Sequence, residues 1–227
     1  NPDKPEALFV CDEKLKPYAP KGSYFFGDSS ESHSRILSVS EGAMQLDLIG
    51  EKLSANIPGG GQHRALTMSA VLLTQKLLGL DISDSLELTE EAIPKGRGNE
   101  TKISGITIVD DSYNANPESM LAALAFMSQD ESPGRKIAVL GEMLELGNIT
   151  ASEHKKIAKV FSAFDKVFLV GEGFKETDSS GWFPEANTDL IAEVEAYSKP
   201  GDKILIKGSN RIFWAKNFVD NLVESLK

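Results

Sequence analysis

The sequence is poor in the residues that build cross-links and metal sites. Its one cysteine, Cys11, excludes an internal disulfide framework and a cysteine-based zinc site, and suits a reducing, cytoplasmic compartment. The three histidines, His33, His63 and His154, stand far apart, so a histidine metal cluster is not expected. No run of 18 or more apolar residues occurs, so no membrane span is expected. The first ten residues, NPDKPEALFV, lack the basic-then-apolar pattern of a signal peptide. Positive charge is also scarce: 24 Lys and Arg against 34 Asp and Glu give a formal net charge of −10. That balance argues against nucleic acid or an anionic lipid surface as partner, since both call for a basic face. A phosphate-binding P-loop is missing too. The glycine-rich PGGGQH (58–63) does not fit GxxxxGK[ST], and no other stretch does.

What is present suffices for packed domains. Of 227 residues, 41% are hydrophobic and 26% charged, which allows one large domain or two smaller ones. The second half alternates short apolar runs with amphipathic ones. ITIVDD (106–111), KIAVLG (136–141), KVFLVG (166–171) and KILIKGS (203–209) read as strands. PESMLAALAFMSQ (117–129), TASEHKKIAKVFSAF (150–164), TDLIAEVEAYS (188–198) and RIFWAKNFVDNLVESLK (211–227) read as helices. Asn116 and Pro117 form an N-cap and first-turn pair, Thr150 and Glu153 have capping-box spacing, and His154 falls on a polar helix face. Nearly continuous apolar strands imply a parallel sheet covered on both faces. Right-handed crossovers then give an α/β, Rossmann-like, doubly wound sheet. NETKI with Ser104-Gly105 adds a hairpin strand at its edge.

The first half is less regular. GSYFFG (22–27), RILSVS (35–40), MQLDLIG (44–50) and KLSANIP (52–58) predict short strands. Residues 63–79 predict a helix whose apolar face runs through Leu66, Ala70, Leu73, Leu77 and Leu80, and 81–93 a second helix. The Pro94–Gly98 breaker then marks a domain boundary.

In an open α/β sheet, ligands bind outside the carboxyl ends of the strands, where helix N-termini favour anions. The chemically rich residues fall at those ends. The first strand leads into VDDSYNANPESM, with Asp110, Asp111, Ser112, Tyr113, Asn114 and Asn116. The second leads to Glu142 and Glu145, the third to Glu172, and the fourth to Lys207, Ser209, Asn210 and Arg211. Turn and cap chemistry is the better account of Asn116, and for Glu142, Glu145 and Glu172 a solvated loop is at least as good a reading as a site. His63 reads as a helix start.

DDSYNANPESMLAAL, followed by RKIAVLGEMLELG and ILIKGS, resembles the C-terminal region of the Mur ligase family of bacterial cell-wall synthesis, in its D-alanyl-D-alanine-adding branch. IPKGRGNE resembles the hinge that enters that region, IPGGGQHRALTMSAVLL a late central-domain segment, and NPDKP a stretch midway through the central domain. The resemblance implies that residues 1–97 are the back part of a central, partial α/β ATPase domain, and 98–227 the complete Rossmann-like third domain. The P-loop, the metal-binding acids and the catalytic lysine would lie upstream of Asn1, so no catalytic or metal-ligating residue is expected within the chain, and the chain alone would be inactive. The implied reaction is ATP- and Mg²⁺-dependent amide formation between UDP-N-acetylmuramoyl-tripeptide and D-alanyl-D-alanine through an acyl phosphate.

By the same resemblance Arg97 contacts nucleotide from the hinge, and Asp111 sits near its ribose. Tyr113 and Asn114 line a dipeptide pocket, with Asn116 more a cap, and Lys207 and Ser209 face the substrate carboxylate. His63, Arg64 and Thr67 fall where the family usually has Gly-x-His-Asn-x-x-Asn beside the adenine. Arginine cannot accept the hydrogen bond that an amide oxygen accepts, so adenine recognition departs from the family here. Glu142 stands where Asp is usual, and Asn210-Arg211 where Arg-Ala or Arg-Gly is common. Two other readings stay open: a relative adding a different amino acid, against which Tyr113-Asn114-Ala115-Asn116 speaks, and a non-catalytic nucleotide-binding or interaction module.

Overall fold

The computed structural model describes residues 8–10, 15–40, 42–177 and 181–227. The NPDKP stretch and Cys11 lie outside the described residues. Two compact units divide the chain, 1–93 and 94–227, with the division at the front of the Pro94–Gly98 breaker.

The first unit contains β1 (Leu8–Val10), β2 (Tyr24–Gly27), β3 (Ser34–Ser40), β4 (Ala43–Leu48), β5 (Glu51–Asn56), α1 (Gln62–Leu77) and the short α2 (Ser83–Leu86). The strands form one sheet in chain order, parallel from β1 to β3 and antiparallel from β3 to β5. In β4 Met44, Leu46 and Leu48 are buried while Gln45 is exposed, the alternation of a sheet covered on one face. α1 packs on that face. Its buried stripe is Ala65, Ser69, Leu72 and Leu73, rotated from the expected one, and Leu80 is 56% exposed. Ser69 takes a core position because its hydroxyl meets that of Ser34 at 2.8 Å and donates to the Ser34 carbonyl at 3.0 Å. A polar residue with a partner thus displaced the purely apolar pattern. The helix expected over 81–93 is reduced to α2 and a 3-10 turn, Glu90–Ala92. Thr89 between them is extended, and the Glu90 carboxylate reaches back to accept from the Gly59 amide at 2.8 Å.

The second unit contains β6 (Asn99–Ile103), β7 (Ile106–Asp111), α3 (Pro117–Ser128), β8 (Lys136–Gly141), α4 (Thr150–Ala158), β9 (Lys166–Val170), β10 (Trp182–Phe183), α5 (Thr188–Tyr197), β11 (Lys203–Lys207) and α6 (Phe218–Ser225). The sheet order is β10-β9-β8-β11-β7-β6. All pairs are parallel except the β6–β7 hairpin. Met120, Leu124 and Met127 of α3 and Ile157 of α4 pack on one face, against Ala138, Leu140, Leu169 and Leu205. Leu190 and Val194 of α5 and Phe218 and Leu222 of α6 cover the other, against Ile108, Val139, Phe168 and Ile206. Burial on both faces is why these strands read as continuous apolar runs.

Four expectations are corrected here. The helix over 150–164 ends at Ala158, and a 3-10 turn follows at Phe161–Ala163. Its capping box does not form: the Thr150 hydroxyl donates to the Gly147 carbonyl at 2.8 Å, and Glu153 pairs with Lys156. The helix over 211–227 starts only at Phe218, because Asn217 turns left-handed (φ 50°) and Phe213 leaves the helical path to bury itself completely in the core. His154 is fully buried rather than on a polar face.

The amino-terminal edge of this sheet holds a charge network. The Arg135 guanidinium donates to both oxygens of Asp202, at 3.1 and 2.6 Å, and to the Tyr197 carbonyl at 2.7 Å. The Lys199 amide adds a bond to Asp202 at 2.7 Å. Beside it Lys203 bridges Asp130 and Glu100. Burial works against the Asp202 charge, but Arg135 and Lys199 outweigh it and hold the carboxyl below its ordinary value. At Asp130 burial likewise pushes up, and the bonds from Lys203 and Ser132 bring the carboxyl down to about 2. Both groups release their protons more readily folded than unfolded, where the value is about 4. Their stabilisation is therefore present above pH ~4 and lost as the pH falls, for Asp130 through about 2, and acid titration of unfolding by circular dichroism will show stability falling below pH ~4. Replacing Asp202 by Ala leaves the guanidinium without its main acceptor and will cost about 1.5–3 kcal/mol in urea unfolding. A change under about 0.5 kcal/mol would show the network to be solvent-screened.

Candidate functional site at the carboxyl ends of the strands

β7 and β11 are neighbours, and the helices that follow them, α3 and α6, pack on opposite faces. Loops that part in this way open a crevice at the strand ends. Lys207, the last residue of β11, is 3% exposed. Its ammonium donates to Asp111 Oδ2 at 2.7 Å and to the Asn114 carbonyl at 3.2 Å. An ammonium taken out of water needs such acceptors, and they fix the β7 loop against β11. The Asn114 side chain is exposed and accepts from the Ala115 amide at 2.9 Å. Asn116 caps α3: its side chain accepts from the Ser119 amide at 2.8 Å, and the Ser119 hydroxyl accepts from the Asn116 amide at 3.1 Å. The reciprocal pair satisfies two donors that the helix leaves open.

Ser209 is 4% exposed and joins the same rim to β8. Its hydroxyl accepts from the Leu144 amide at 2.8 Å, and its own amide donates to the Glu142 carbonyl at 3.2 Å. Glu142 is half-buried, not a solvated loop residue, and its carboxylate accepts from the Gly173 amide at 2.9 Å. Four successive strand ends, those of β7, β11, β8 and β9, are thus joined by side-chain bonds.

The hinge segment lies along the end of β7. The Gly98 amide donates to the Asp110 carbonyl at 2.6 Å, and the Tyr113 amide to the Gly96 carbonyl at 3.0 Å. The Arg97 guanidinium stands 4.1 Å from the centre of the Tyr113 ring. That ring meets Trp214 edge-on at 5.4 Å. Gly96 makes the stack possible: its φ is +76°, and a Cβ there would fall 2.6 Å from Trp214. The result is an exposed, delocalised cation on an aromatic base.

Asp110 points to the other face. It is 1% exposed, and Oδ1 accepts from the Ser112 hydroxyl at 2.5 Å and its amide at 3.1 Å. Burial pushes its carboxyl up against those bonds. It lines a cavity of about 160 Å³ with Trp214, Phe218 and the Lys95–Asp220 ion pair. Sequence reasoning gave Trp214 no role and put His154 on a polar helix face; the apolar spacing of 211–217 mimics a continuous helix and hides the first, and the partner of His154 lies in another element.

His63, Arg64 and Thr67 belong to the first unit, at the start of α1. His63 and Thr67 are exposed, and the Thr67 hydroxyl donates to the His63 carbonyl at 3.1 Å. Arg64 folds back on the glycine loop, donating to the Pro58 carbonyl at 2.8 Å. The predicted residues therefore form three groups: Asp111, Asn114 and Lys207 with Ser209 beyond them; Arg97 with Tyr113; and His63, Arg64 and Thr67 in the other unit. No three His, Cys, Asp or Glu among the described residues could hold a metal ion, and no helix among them is long and apolar enough to cross a membrane.

Comparison with known proteins meets this geometry. The family model described as Mur ligase, glutamate ligase domain matches residues 96–210, from the hinge to just past Ser209. A UDP-N-acetylmuramoyl-tripeptide–D-alanyl-D-alanine ligase of Rickettsia prowazekii is 31% identical over 211 residues, covering 87% of this chain and 47% of that protein. The Bacillus subtilis enzyme of the same name is 30% identical over 235 residues, covering 96% and 51%. The chain thus spans about half the length of these curated relatives. Among solved structures, a MurF ligase from Thermotoga maritima in complex with ADP superimposes with a TM-score of 0.79 at 23% identity, over 96% of this chain and 53% of that one. A MurF from Acinetobacter baumannii gives 0.77 at 21%, over 96% and 51%; at such identities the likeness establishes the fold. From the family match over half of its residues, the chain belongs to the Mur ligases.

Proposed function

We propose that this chain supplies the amine-accepting side of an ATP-dependent amide ligase. In this reading the part of a central domain in 1–97 and the third domain in 98–227 belong to a cytoplasmic enzyme that joins D-alanyl-D-alanine to UDP-N-acetylmuramoyl-tripeptide. The observation that carries it is the buried Lys207 at the crevice, bonded to Asp111 and Asn114 and followed by Ser209. Relatives named UDP-N-acetylmuramoyl-tripeptide–D-alanyl-D-alanine ligase support it.

A dipeptide zwitterion carries both signs of charge, and this rim offers both. Lys207 and the Ser209 hydroxyl suit the carboxylate. The exposed Asn114 amide suits the peptide group, and Asn116 holds α3 in place beneath it. Arg97 on Tyr113 offers a cation to a phosphate, and Asp111, whose Oδ2 is held by Lys207, offers Oδ1 to a ribose hydroxyl. Bound ATP would supply the phosphoryl group that activates the tripeptide carboxyl. The residues of this chain would hold the dipeptide amine against that carbonyl, an orientation effect worth up to about 7–11 kcal/mol. The described residues include no Mg²⁺ cluster, so no metal step is assigned to them.

Calorimetric titration of the chain with D-alanyl-D-alanine and, separately, with ADP tests this. Asn114→Ala and Lys207→Met will weaken dipeptide binding at least ~10-fold, about 1.4 kcal/mol, and Arg97→Ala will weaken ADP binding similarly. Saturable ADP binding with no dipeptide binding would replace the proposal with a nucleotide-binding module.

A further inference from the structure

The β8–α4 loop is held from behind by a residue no contact of the rim itself requires. His154, on α4, is fully buried. Its Nε2 lies 3.0 Å from the Met143 amide and its Nδ1 2.7 Å from the Thr150 carbonyl. An amide must donate and a carbonyl must accept, so the ring is neutral, with its proton on Nδ1 and a lone pair on Nε2. Burial, set against the Thr150 bond and the Glu142 and Glu153 charges, holds the imidazole below its ordinary value, in agreement with that tautomer. The ring is clamped edge-on by Phe174, with centroids 4.4 Å apart. Gly173 leaves it room: a Cβ there would fall 2.6 Å from Nε2. The residue after Met143 is Leu144, whose amide donates to Ser209 Oγ. The residue before it is Glu142, whose carbonyl accepts from the Ser209 amide.

We infer that His154 is a positioning residue: by accepting the Met143 amide it fixes the 142–144 backbone in the conformation that aims Ser209 at the crevice. The inference rests on the proposed function for what Ser209 binds, but not for the linkage. A helix residue sets the loop, the loop sets the serine, and the serine presents its hydroxyl. A buried apolar side chain in the same place would fill the space and leave the Met143 amide without an acceptor.

Amide hydrogen exchange by nitrogen-15 NMR on the whole chain tests this without any ligand. Glutamine at 154 can place its carbonyl oxygen near the Nε2 position, and asparagine near Nδ1. His154→Gln will keep the protection factors of Met143 and Leu144 near those of the native chain, and His154→Asn and His154→Leu will lower both at least ~10-fold. The Ala115 amide at the β7 loop will not change. Ser209→Ala will lower Leu144 protection and leave Met143 protected. Equal protection in the Gln, Asn and Leu variants would overturn the inference, and so would release of Met143 without Leu144. D-alanyl-D-alanine binding then follows: a native chain that fails to bind the dipeptide sinks the functional proposal and leaves the exchange result standing. Gln binding like native, with Asn weakened, extends the linkage to the site.

Discussion

The crevice depends on one buried cation. Lys207 ends a strand whose interior is Ile204, Leu205 and Ile206, flanked by parallel strands on both sides. An ammonium there would be costly alone. It is tolerated because β7 delivers Asp111 and the Asn114 carbonyl at the same height. The register that pairs Lys207 with Asp111 across the two strands is the register that buries Ile204 and Ile206 on one face and Leu205 on the other. A slip of one residue would turn the ammonium into the α5–α6 core. Packing and site geometry are thus set by the same pairing.

The two edges of the six-stranded sheet divide their work. At the amino ends, Arg135, Asp202, Lys203 and Asp130 satisfy one another closely, and the network contributes to holding strands and helices together. At the carboxyl ends the bonds run between loops: Ser209 to Leu144, Glu142 to Gly173, Lys207 to Asn114. They join neighbouring loops while leaving Asn114 and Arg97 exposed.

Much of this was legible in the sequence. The four core strands were visible because full burial leaves no room for polar alternation, and Asn116-Pro117 announced α3 by local chemistry alone. The misreadings share one cause. In 211–217 the apolar residues mimic helical spacing, yet Phe213 is buried by packing against Gly141, Gly208 and Phe218. His154 looked polar on a helical wheel because a wheel counts only its own helix, and its acceptor role comes from Met143 of another element. Ser69 shows the converse, a polar residue drawn into a core by a distant serine. For the site, the strand-end positions of Asp111, Asn114, Lys207 and Ser209 could be read directly. Their bonds could not, because each partner lies scores of residues away or in a loop without periodicity.

The place of β11 has a consequence for synthesis. Among the described strands of its sheet it is the last in chain order, and it lies between β7 and β8, two of the earliest. Until residues 203–207 leave the ribosome, those two strands face a gap with unpaired backbone on both sides. A growing chain can nucleate its hairpin and its first helices, but the sheet closes only once that strand has been made. Lys207 arrives with that strand, so the crevice is completed by the same event that completes the sheet.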